Sequence, residues 1–217
     1  MSSEQRGQCP DHQIDTNGKN KHFNVGINYK RRRPIFGVGI NDSDYVTQSI
    51  SGTCPFYITW RGMIQRCFSA KWLNKYPSYR DTTVCDEWLT FSNFKAWMET
   101  QDWEGKSLDK DLLGDGNLYS PETCYFISQK LNCFINGYST RGSKGLPKGV
   151  YKSKKRFQAM CRNPFNERPY IGYYGCPTAA NFAYIKKKQE YAKRFIRDEV
   201  DPIIKAALTE RFSICQS

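Results

Sequence analysis

The spacing of apolar residues first predicts helices in the middle of the chain. From Tyr57 onward, apolar residues recur at intervals of three and four, which indicates an amphipathic helix whose apolar stripe belongs to the core. That stripe comprises Tyr57, Trp60, Met63, Ile64 and Cys67. A second amphipathic segment follows Val84-Cys85, and its buried face comprises Trp88, Leu89, Phe91, Phe94, Trp97 and Met98. Upstream, the run from Ile35 to Ile40 predicts a short strand that follows a polar N-terminal arm.

The next segment, from Leu108 to Asn132, predicts two strands and the start of a helix. Asp109 and Asp111 lie on a short apolar strand, which a Gly-Asp-Gly-Asn turn connects to a second strand from Cys124 to Ser128. A helix that carries Asn132 follows. We expect these elements to form a ββα hairpin, on which the two amphipathic helices pack.

Two interpretations of the hairpin carboxylates are open. Because side chains two residues apart on a strand share a face, Asp109 and Asp111 should point the same way. One of them, together with Asn132, could form a hard oxygen site for a divalent cation of the magnesium type. In the alternative, Asp109 or Asp111 pairs with Lys110 or caps a turn.

The C-terminal third predicts a small sheet backed by a helix. Two strands, 149–151 and 156–160, flank a Ser-Lys-Lys turn, and a third strand covers 170–174. Thr178 is expected to cap a helix that ends near Arg197. On that helix, Phe182 and Ile185 are expected to face the core and the Lys186-Lys187-Lys188 run to be solvated. The predicted fold class is therefore α+β.

Charge is distributed very unevenly along the chain. The net charge is +12, but residues 141–217 carry 17 basic and 6 acidic residues and thus hold an excess of 11. Aromatic residues lie between these cations, a pattern that favours a polyanionic partner.

We expect an N-terminal arm and short strand at 1–52, a ββα module at 53–140 and a basic module at 141–217.

Composition excludes several classes of protein. No apolar run approaches the roughly 18 residues that a membrane span needs, and the polar N-terminus has no signal-peptide core, so we expect a cytoplasmic protein with no membrane partner. The nine cysteines include no Cys-x-x-Cys pair, so we expect no structural zinc. We expect Cys54, Cys67, Cys85, Cys124 and Cys133 to be small buried thiols. No small-molecule substrate is expected.

Three motifs, taken in order, resemble the HNH or His-Me finger endonucleases of phages and mobile elements. They cover about a third of the chain. The motifs are Tyr57-x-x-Trp60-x-x-Met63-x-x-Arg66-Cys67, then Val84-Cys85-x-x-Trp88-x-x-Phe91-x-x-Phe94, and then Leu108-Asp109-Lys110-Asp111 with Gly116-Asn117-x-Tyr119-Ser120-Pro121-Glu122-x-Cys124.

The resemblance implies a metal-dependent nuclease site on the hairpin. Asp109 matches the first ligand of a Mg²⁺ or Mn²⁺ ion, Asn132 the second, and Asp111 is a further candidate ligand. Lys110 stands where these enzymes have the histidine that deprotonates water, which makes Lys110 and Asp109 the candidate catalytic residues. The histidines of this chain, His12 and His22, lie in the N-terminal arm instead.

The C-terminal module resembles AP2-type DNA-binding domains, whose three-stranded sheet enters the major groove. The likeness rests on the Gly-Val-Tyr start, the basic-aromatic second strand, the Ile-Gly-Tyr-Tyr third strand and the Ala-Ala opening of the helix. On the second strand, Arg156, Gln158 and Met160 alternate to one face, where arginine can read guanine and glutamine can read adenine. Double-stranded DNA is the expected partner. The candidate DNA-binding residues are Arg156, Gln158, Lys152, Lys154, Lys155, Arg162, Arg31, Arg32 and Arg33.

Three functions remain open at this point. The first is an HNH-like endonuclease or nickase with an AP2-like targeting domain. The second is a non-catalytic DNA-binding or host-interfering protein on a degenerate HNH scaffold. The third is an RNA binder, which fits the charge but has no RNP or KH signature behind it. The sequence leaves the target site and the oligomeric state open.

Overall fold

The computed structural model of the protein describes residues 32–50, 52–114, 116–136 and 142–212, and it has the α+β composition that the sequence predicts. Arg31 lies outside these residues. Two short 3₁₀ helices, Pro77–Tyr79 and Asp86–Leu89, connect longer elements. The strands are β1 Gln48–Ser49, β2 Gly52–Thr53, β3 Thr83–Val84, β4 Lys106–Asp109, β5 Leu118–Tyr119, β6 Tyr125–Ser128, β7 Val150–Ser153, β8 Arg156–Met160 and β9 Tyr170–Tyr174. The helices are α1 Pro55–Phe68, α2 Ala70–Lys75, α3 Phe91–Glu99, α4 Gln129–Ile135, α5 Pro177–Asp198 and α6 Pro202–Arg211.

The two predicted amphipathic segments form one aromatic core. Helix α1 starts with Pro55, whose fixed φ suits the first helical position, and its whole predicted stripe from Tyr57 to Cys67 is buried. The indole nitrogen of Trp60 donates a hydrogen bond of 2.7 Å to the carbonyl oxygen of Trp88, which satisfies the polar atom of a fully buried side chain. The hairpin that follows packs on this core through Tyr119, Cys124 and Phe126.

The predicted strand at 35–40 is wrong, because the chain turns back on itself there. Phe36 and Gly37 have φ values of 50° and 86°, and the amide of Gly39 donates to the carbonyl oxygen of Ile35. A Cβ atom on Gly39 would lie 3.0 Å from the ring of Trp60. Glycine therefore permits both the left-handed turn and its close packing on α1.

The ββα hairpin is confirmed in outline, and one residue is placed differently. Strands β4 and β6 are antiparallel, with Leu108 opposite Phe126, and α4 follows directly, capped by the Ser128 hydroxyl, which accepts from the amide of Leu131. Strand β4 ends at Asp109, so the prediction that Asp111 lies on the strand is wrong. Asp111 belongs to the turn.

The C-terminal sheet is confirmed, in the order β7-β8-β9 with antiparallel pairs and α5 on one face. The expected cap is wrong: α5 begins at Pro177, so Cys176 occupies the N-cap position and Thr178 lies inside the helix.

Helix α6 was not predicted. It begins at Pro202 after Asp201, whose carboxylate accepts from two amides of the first turn.

The buried face of α5 also differs from the expectation. Phe182 and Ile185 are exposed, whereas Tyr184 and Tyr191 pack inward. The expectation that Lys188 is solvated is wrong as well. Its ammonium donates to the carbonyl oxygen of Phe134 and lies 3.9 Å from the centre of that phenyl ring.

A second core joins the hairpin helix to the C-terminal helices. Leu131 and Phe134 of α4 pack with Tyr191 of α5 and Leu208 of α6 in one buried cluster. The Tyr125 hydroxyl donates a hydrogen bond of 2.8 Å to Asp201 across the same contact. The predicted boundary at 140/141 stays a prediction, and the described core crosses it.

The described cysteines are free thiols. Cys67 and Cys124 are buried as predicted, whereas Cys54, Cys85 and Cys133 are only half-buried. Burial raises the pKa of Cys124 to about 12, so its thiol stays protonated at neutral pH. Among the described residues, no helix combines the length and the apolar character that a bilayer crossing requires.

Candidate functional site

A cleft of about 520 Å³ opens beside the hairpin turn. Its walls come from the hairpin, the 3₁₀ helix at 77–79, the loop before β7 and the end of α6. Three cations from distant parts of the chain line it: Lys110, Lys148 and Arg211. Asp111 is the carboxylate among the lining residues, which also include Asn117 and Asn136. The cleft therefore suits an anion with several oxygen acceptors, such as a phosphate group.

Lys110 is fixed in place within this cleft. Lys110 is only 6% exposed. Its ammonium donates to Asp111 Oδ1 at 2.7 Å and to the carbonyl oxygen of Gly116 at 2.5 Å. The rings of Tyr79 and Tyr119 lie 5.3 and 5.7 Å from the nitrogen, within the range of a cation–π contact. The Lys110 ammonium is thus held in one position by these contacts.

Gly116 allows the turn to close over Lys110. Its φ of 81° is left-handed, and a Cβ atom there would lie 2.6 Å from Asp111 Oδ1. A residue with a side chain would therefore disturb the turn and the Asp111–Lys110 pair together.

Asp109 lies under the turn with its carboxylate almost wholly buried. Oδ1 accepts from the amides of Asp111 at 3.1 Å and Leu112 at 2.8 Å. Burial raises the pKa of this carboxyl, and the neighbouring charge of Asp111 raises it further, against the smaller opposing effect of its hydrogen bonds. Both structural roles considered for the pair occur: Asp109 caps the turn and Asp111 pairs with Lys110.

Asn136 is the site residue that sequence reasoning missed. Its side chain lies near enough to Asp109 to oppose slightly the rise in the pKa of that carboxyl, and its amide nitrogen donates to Asn132 Oδ1 at 2.5 Å. Asn132 and Asn136 are four residues apart at the end of α4, so their side chains share one face. That spacing was visible in the sequence. The structure thus places Asn132 and Asn136 together beside Asp109.

These residues could hold a magnesium-type ion if the Asn136 amide, whose nitrogen donates to Asn132 Oδ1 in the structure, turned its oxygen inward. A carboxylate and two amide oxygens are hard ligands, and Mg²⁺ usually takes one or two carboxylates and completes its shell with water and phosphate. Asp111 turns toward Lys110 and does not join Asp109. Within the described ranges, no three His, Cys, Asp or Glu side chains cluster, so an ion here would depend on the amide oxygens of Asn132 and Asn136.

The outer face of the C-terminal sheet carries the second group of candidate residues. Arg156 is exposed and Gln158 half-exposed on the face opposite α5. Lys154 and Lys155 form the exposed turn between β7 and β8, and Arg162 is exposed just beyond β8. The sheet therefore places Arg156 and Gln158 on one face, the Lys154–Lys155 turn at the start of β8 and Arg162 just beyond its end.

Lys152 is separated from that group. It pairs with Phe157, and paired residues point to the same face of a sheet. Phe157 packs with Val150 and Ala159 against α5, so Lys152 projects on the helix side. Its side chain is exposed, and its predicted DNA contact stays a prediction.

The arginines before Ile35 are only partly described. Arg32 donates to Ser43 Oγ at 2.8 Å and to the carbonyl oxygen of Asn41 at 3.3 Å, which holds it against the loop after the first turn. Arg33 is exposed. Arg31 lies outside the described residues, so its predicted DNA contact has no structural counterpart here.

No protein-family model, no curated protein and no solved structure matches this chain. The resemblance to HNH and AP2-type modules therefore rests on the residue motifs.

Proposed function

We propose that this protein binds double-stranded DNA and hydrolyses its phosphodiester bonds as a metal-dependent, HNH-like endonuclease or nickase. The C-terminal sheet would select the DNA and the hairpin cleft would act on the phosphate. One observation carries the proposal: three cations line a cleft that Asn136 also lines, next to the buried carboxylate of Asp109 under the hairpin turn.

The cations of the cleft would hold a backbone phosphate. Lys148 and Arg211 come from the C-terminal module and Lys110 from the hairpin, so the complete phosphate site depends on how the modules pack. Arg211 also donates to the carbonyl oxygen of Asp111, which fixes its guanidinium at the turn and leaves other N–H groups for the ligand. Cations held in advance lose little entropy when a phosphate binds.

Asp109, Asn132 and Asn136 would hold the metal ion. When bound, such an ion polarises the phosphate and lowers the pKa of a coordinated water. The buried carboxylate of Asp109 is costly to ionise without a cation, and a metal would offset that cost. Lys110 would hold the phosphate by charge and would not take the proton from water, because its nitrogen donates to Asp111 and Gly116.

A non-catalytic DNA-binding role is the second candidate. It is favoured by the structural roles of the residues that match the HNH metal ligand and the HNH histidine. Asp109 caps a turn, and Lys110 is held beside two tyrosine rings. In that role the cleft would still bind a phosphate, and no bond would break.

Supercoiled plasmid separates the two functions. The full chain is incubated with plasmid in Mg²⁺, in Mn²⁺ and in EDTA, and binding to a labelled duplex is measured in EDTA. Nicked or linear products with metal only, together with duplex binding, support the nuclease. Duplex binding without cleavage in either metal supports the second candidate. Absence of duplex binding at low salt contradicts both.

A further inference from the structure

The face of the C-terminal sheet opposite α5 is unusually rich in exposed aromatic rings. Helix α5 covers the side on which Val150 and Ala159 are fully buried. On the opposite side Tyr173 is 48% exposed and Tyr170 is 37% exposed. Burying large rings is strongly favourable, so a set of tyrosines left in solvent on one face indicates a surface that binds something.

The strand register gathers these rings into one platform. Tyr151 lies opposite Gln158, and Gln158 lies opposite Tyr173, so the three side chains form a row across β7, β8 and β9. Tyr170 lies opposite Met160 on the same face, and its ring is 5.6 Å from that of Tyr173 at an angle of 62°. We call Tyr151, Gln158, Met160, Tyr170 and Tyr173 the tyrosine platform.

The surroundings of the tyrosine platform are cationic. From Val150 to Tyr174 the chain contains one acidic residue, Glu167, and that carboxylate is paired with Arg194. The guanidinium of Arg168 lies 5.8 Å from the centre of the Tyr170 ring. The other cations of β8 and its flanks are Lys154, Lys155, Arg156 and Arg162. A flat aromatic surface bordered by cations and almost free of carboxylates is complementary to a nucleic-acid strand.

Paired and unpaired DNA would use this surface differently. In a duplex the bases already stack on one another and present only their edges and phosphates, so tyrosine rings would have no base face to contact. An unpaired base offers both faces, and every base can stack on an aromatic ring whatever its sequence. Cations at the border then follow the backbone of the same strand.

From these observations we propose that the tyrosine platform binds unpaired DNA bases, so that the protein prefers duplex DNA containing a short single-stranded stretch. The inference rests on the proposed function and names the form of DNA that the sheet recognises. Tyr151 and Tyr173 would stack on bases, and Gln158 between them would hydrogen-bond to a base edge.

The test compares three labelled DNAs of equal length: a single strand, a fully paired duplex, and a duplex with a central unpaired bubble. Affinities for the full chain are measured in EDTA at one fixed salt concentration. We expect the bubble duplex to bind about 5- to 150-fold more tightly than the paired duplex for each base that stacks. A 2-aminopurine placed in the bubble should lose fluorescence on binding.

Three variants locate the effect. Tyr173→Leu and Tyr151→Leu keep an apolar side chain at exposed or half-exposed positions but remove the ring, and each should bring bubble affinity toward that of the paired duplex. Tyr76→Leu, which removes a similarly exposed ring far from the sheet in sequence, should change neither affinity.

Equal affinity for paired and bubble duplexes would overturn the inference and leave the proposed function standing. Equal weakening of both DNAs by Tyr173→Leu would overturn it as well. Absence of binding to any of the three DNAs would contradict the proposed function itself and the inference with it.

Discussion

The hairpin cleft and the outer face of the C-terminal sheet are both cationic, but they hold their charges in opposite ways. In the cleft, Lys110 is buried and fixed by a carboxylate, a carbonyl and two rings. At the sheet, Lys154, Lys155 and Arg156 are exposed on a turn and a strand end. A cation held in one position can stabilise charge on one particular phosphate during a reaction. Exposed cations can contact many phosphates along a strand.

The two surfaces are also coupled through packing. The C-terminal helices form a core with α4, Lys188 donates to the carbonyl oxygen of Phe134, and Arg211 donates to that of Asp111. Residues 141–217 expressed alone would therefore lose part of their core. Variants therefore have to be compared in the full chain.

The largest effect is expected at the buried carboxylate of Asp109, under the hairpin turn. Asp109→Asn keeps an oxygen that can accept from the amides of Asp111 and Leu112, but it removes the charge that would bind a metal. Loss of residues that merely support a metal ligand costs 10- to 100-fold, so loss of the ligand charge should slow cleavage by about 100-fold or more. Plasmid nicking in Mg²⁺ measures this. Duplex affinity in EDTA should be unchanged, and undiminished nicking would remove Asp109 from the site.

The second prediction concerns the fixed cation. Lys110→Met keeps the buried methylenes but leaves the Gly116 carbonyl without its charged donor, so the free energy of unfolding should fall by about 1.5–3 kcal/mol. Cleavage should slow by about 10-fold or more, because one pre-positioned donor is lost. Urea unfolding and plasmid nicking measure the two effects.

A histidine at the same position sharpens the result. Lys110→His should cleave faster than Lys110→Met, because a histidine there can act as the general base that the resemblance implies. Equal rates for both variants would show that position 110 contributes no proton transfer.

The third prediction concerns sequence preference on the sheet. If Arg156 reads a base, Arg156→Ala should weaken binding by about 1–3 kcal/mol at one base position and relax the choice of base there. Selection of binding sites from a random duplex library measures this, with Lys152→Ala as the control on the opposite face. Uniform weakening on every sequence would make Arg156 a phosphate contact instead.

The fourth prediction concerns the exposed turn. Each phosphate that Lys154 or Lys155 neutralises adds about 0.9 to the slope of log affinity against log salt, so replacing both with glutamine should reduce that slope by about 1.8. Fluorescence anisotropy at several salt concentrations measures it. A slope that does not change would place DNA away from this turn.

The smallest effect is a pH dependence of stability that separates structure from function at Asp109. The raised pKa means that, from the ordinary value of 3.8 up to the raised one, the folded chain binds more protons than the unfolded chain. The free energy of unfolding therefore falls as pH rises through that window. Asp109→Asn should be at least as stable as the parent at pH 7 in EDTA, and the difference should disappear below pH 3.8. A variant that is less stable at pH 7 would mean that the carboxylate serves the fold.

The sequence was most informative where one local rule governed the structure. The periodicity from Tyr57 to Cys67 predicted α1 and its core face. The alternation along β8 predicted which side chains share the sheet face that points away from α5. Errors arose where a side chain competed with the backbone pattern. The Asp109 carboxylate accepts from the amides of Asp111 and Leu112 and ends the strand, so Asp111 turns away from the face that the pleat assigned to it.

The cleft could be predicted only in part. Asp109, Lys110 and Asn132 are local to the hairpin, and the position of Asn136 one helical turn later was available from spacing alone. Lys148 and Arg211 could not be foreseen, because they reach the cleft through packing between elements up to 100 residues apart. The tyrosine platform depended on the register of three strands, which the sequence leaves open.

The central claim is that the cleft cuts and the sheet selects, and one paired measurement tests it most directly. Single-turnover cleavage of a labelled duplex in Mg²⁺, with protein titrated to saturation, gives a maximal rate and a half-saturating concentration for each variant. We expect Asp109→Asn to reduce only the maximal rate, and the double change Lys154→Gln with Lys155→Gln to raise only the half-saturating concentration. If both variants changed the same quantity, or if the parent chain cut no duplex at saturation, this division of roles would be wrong.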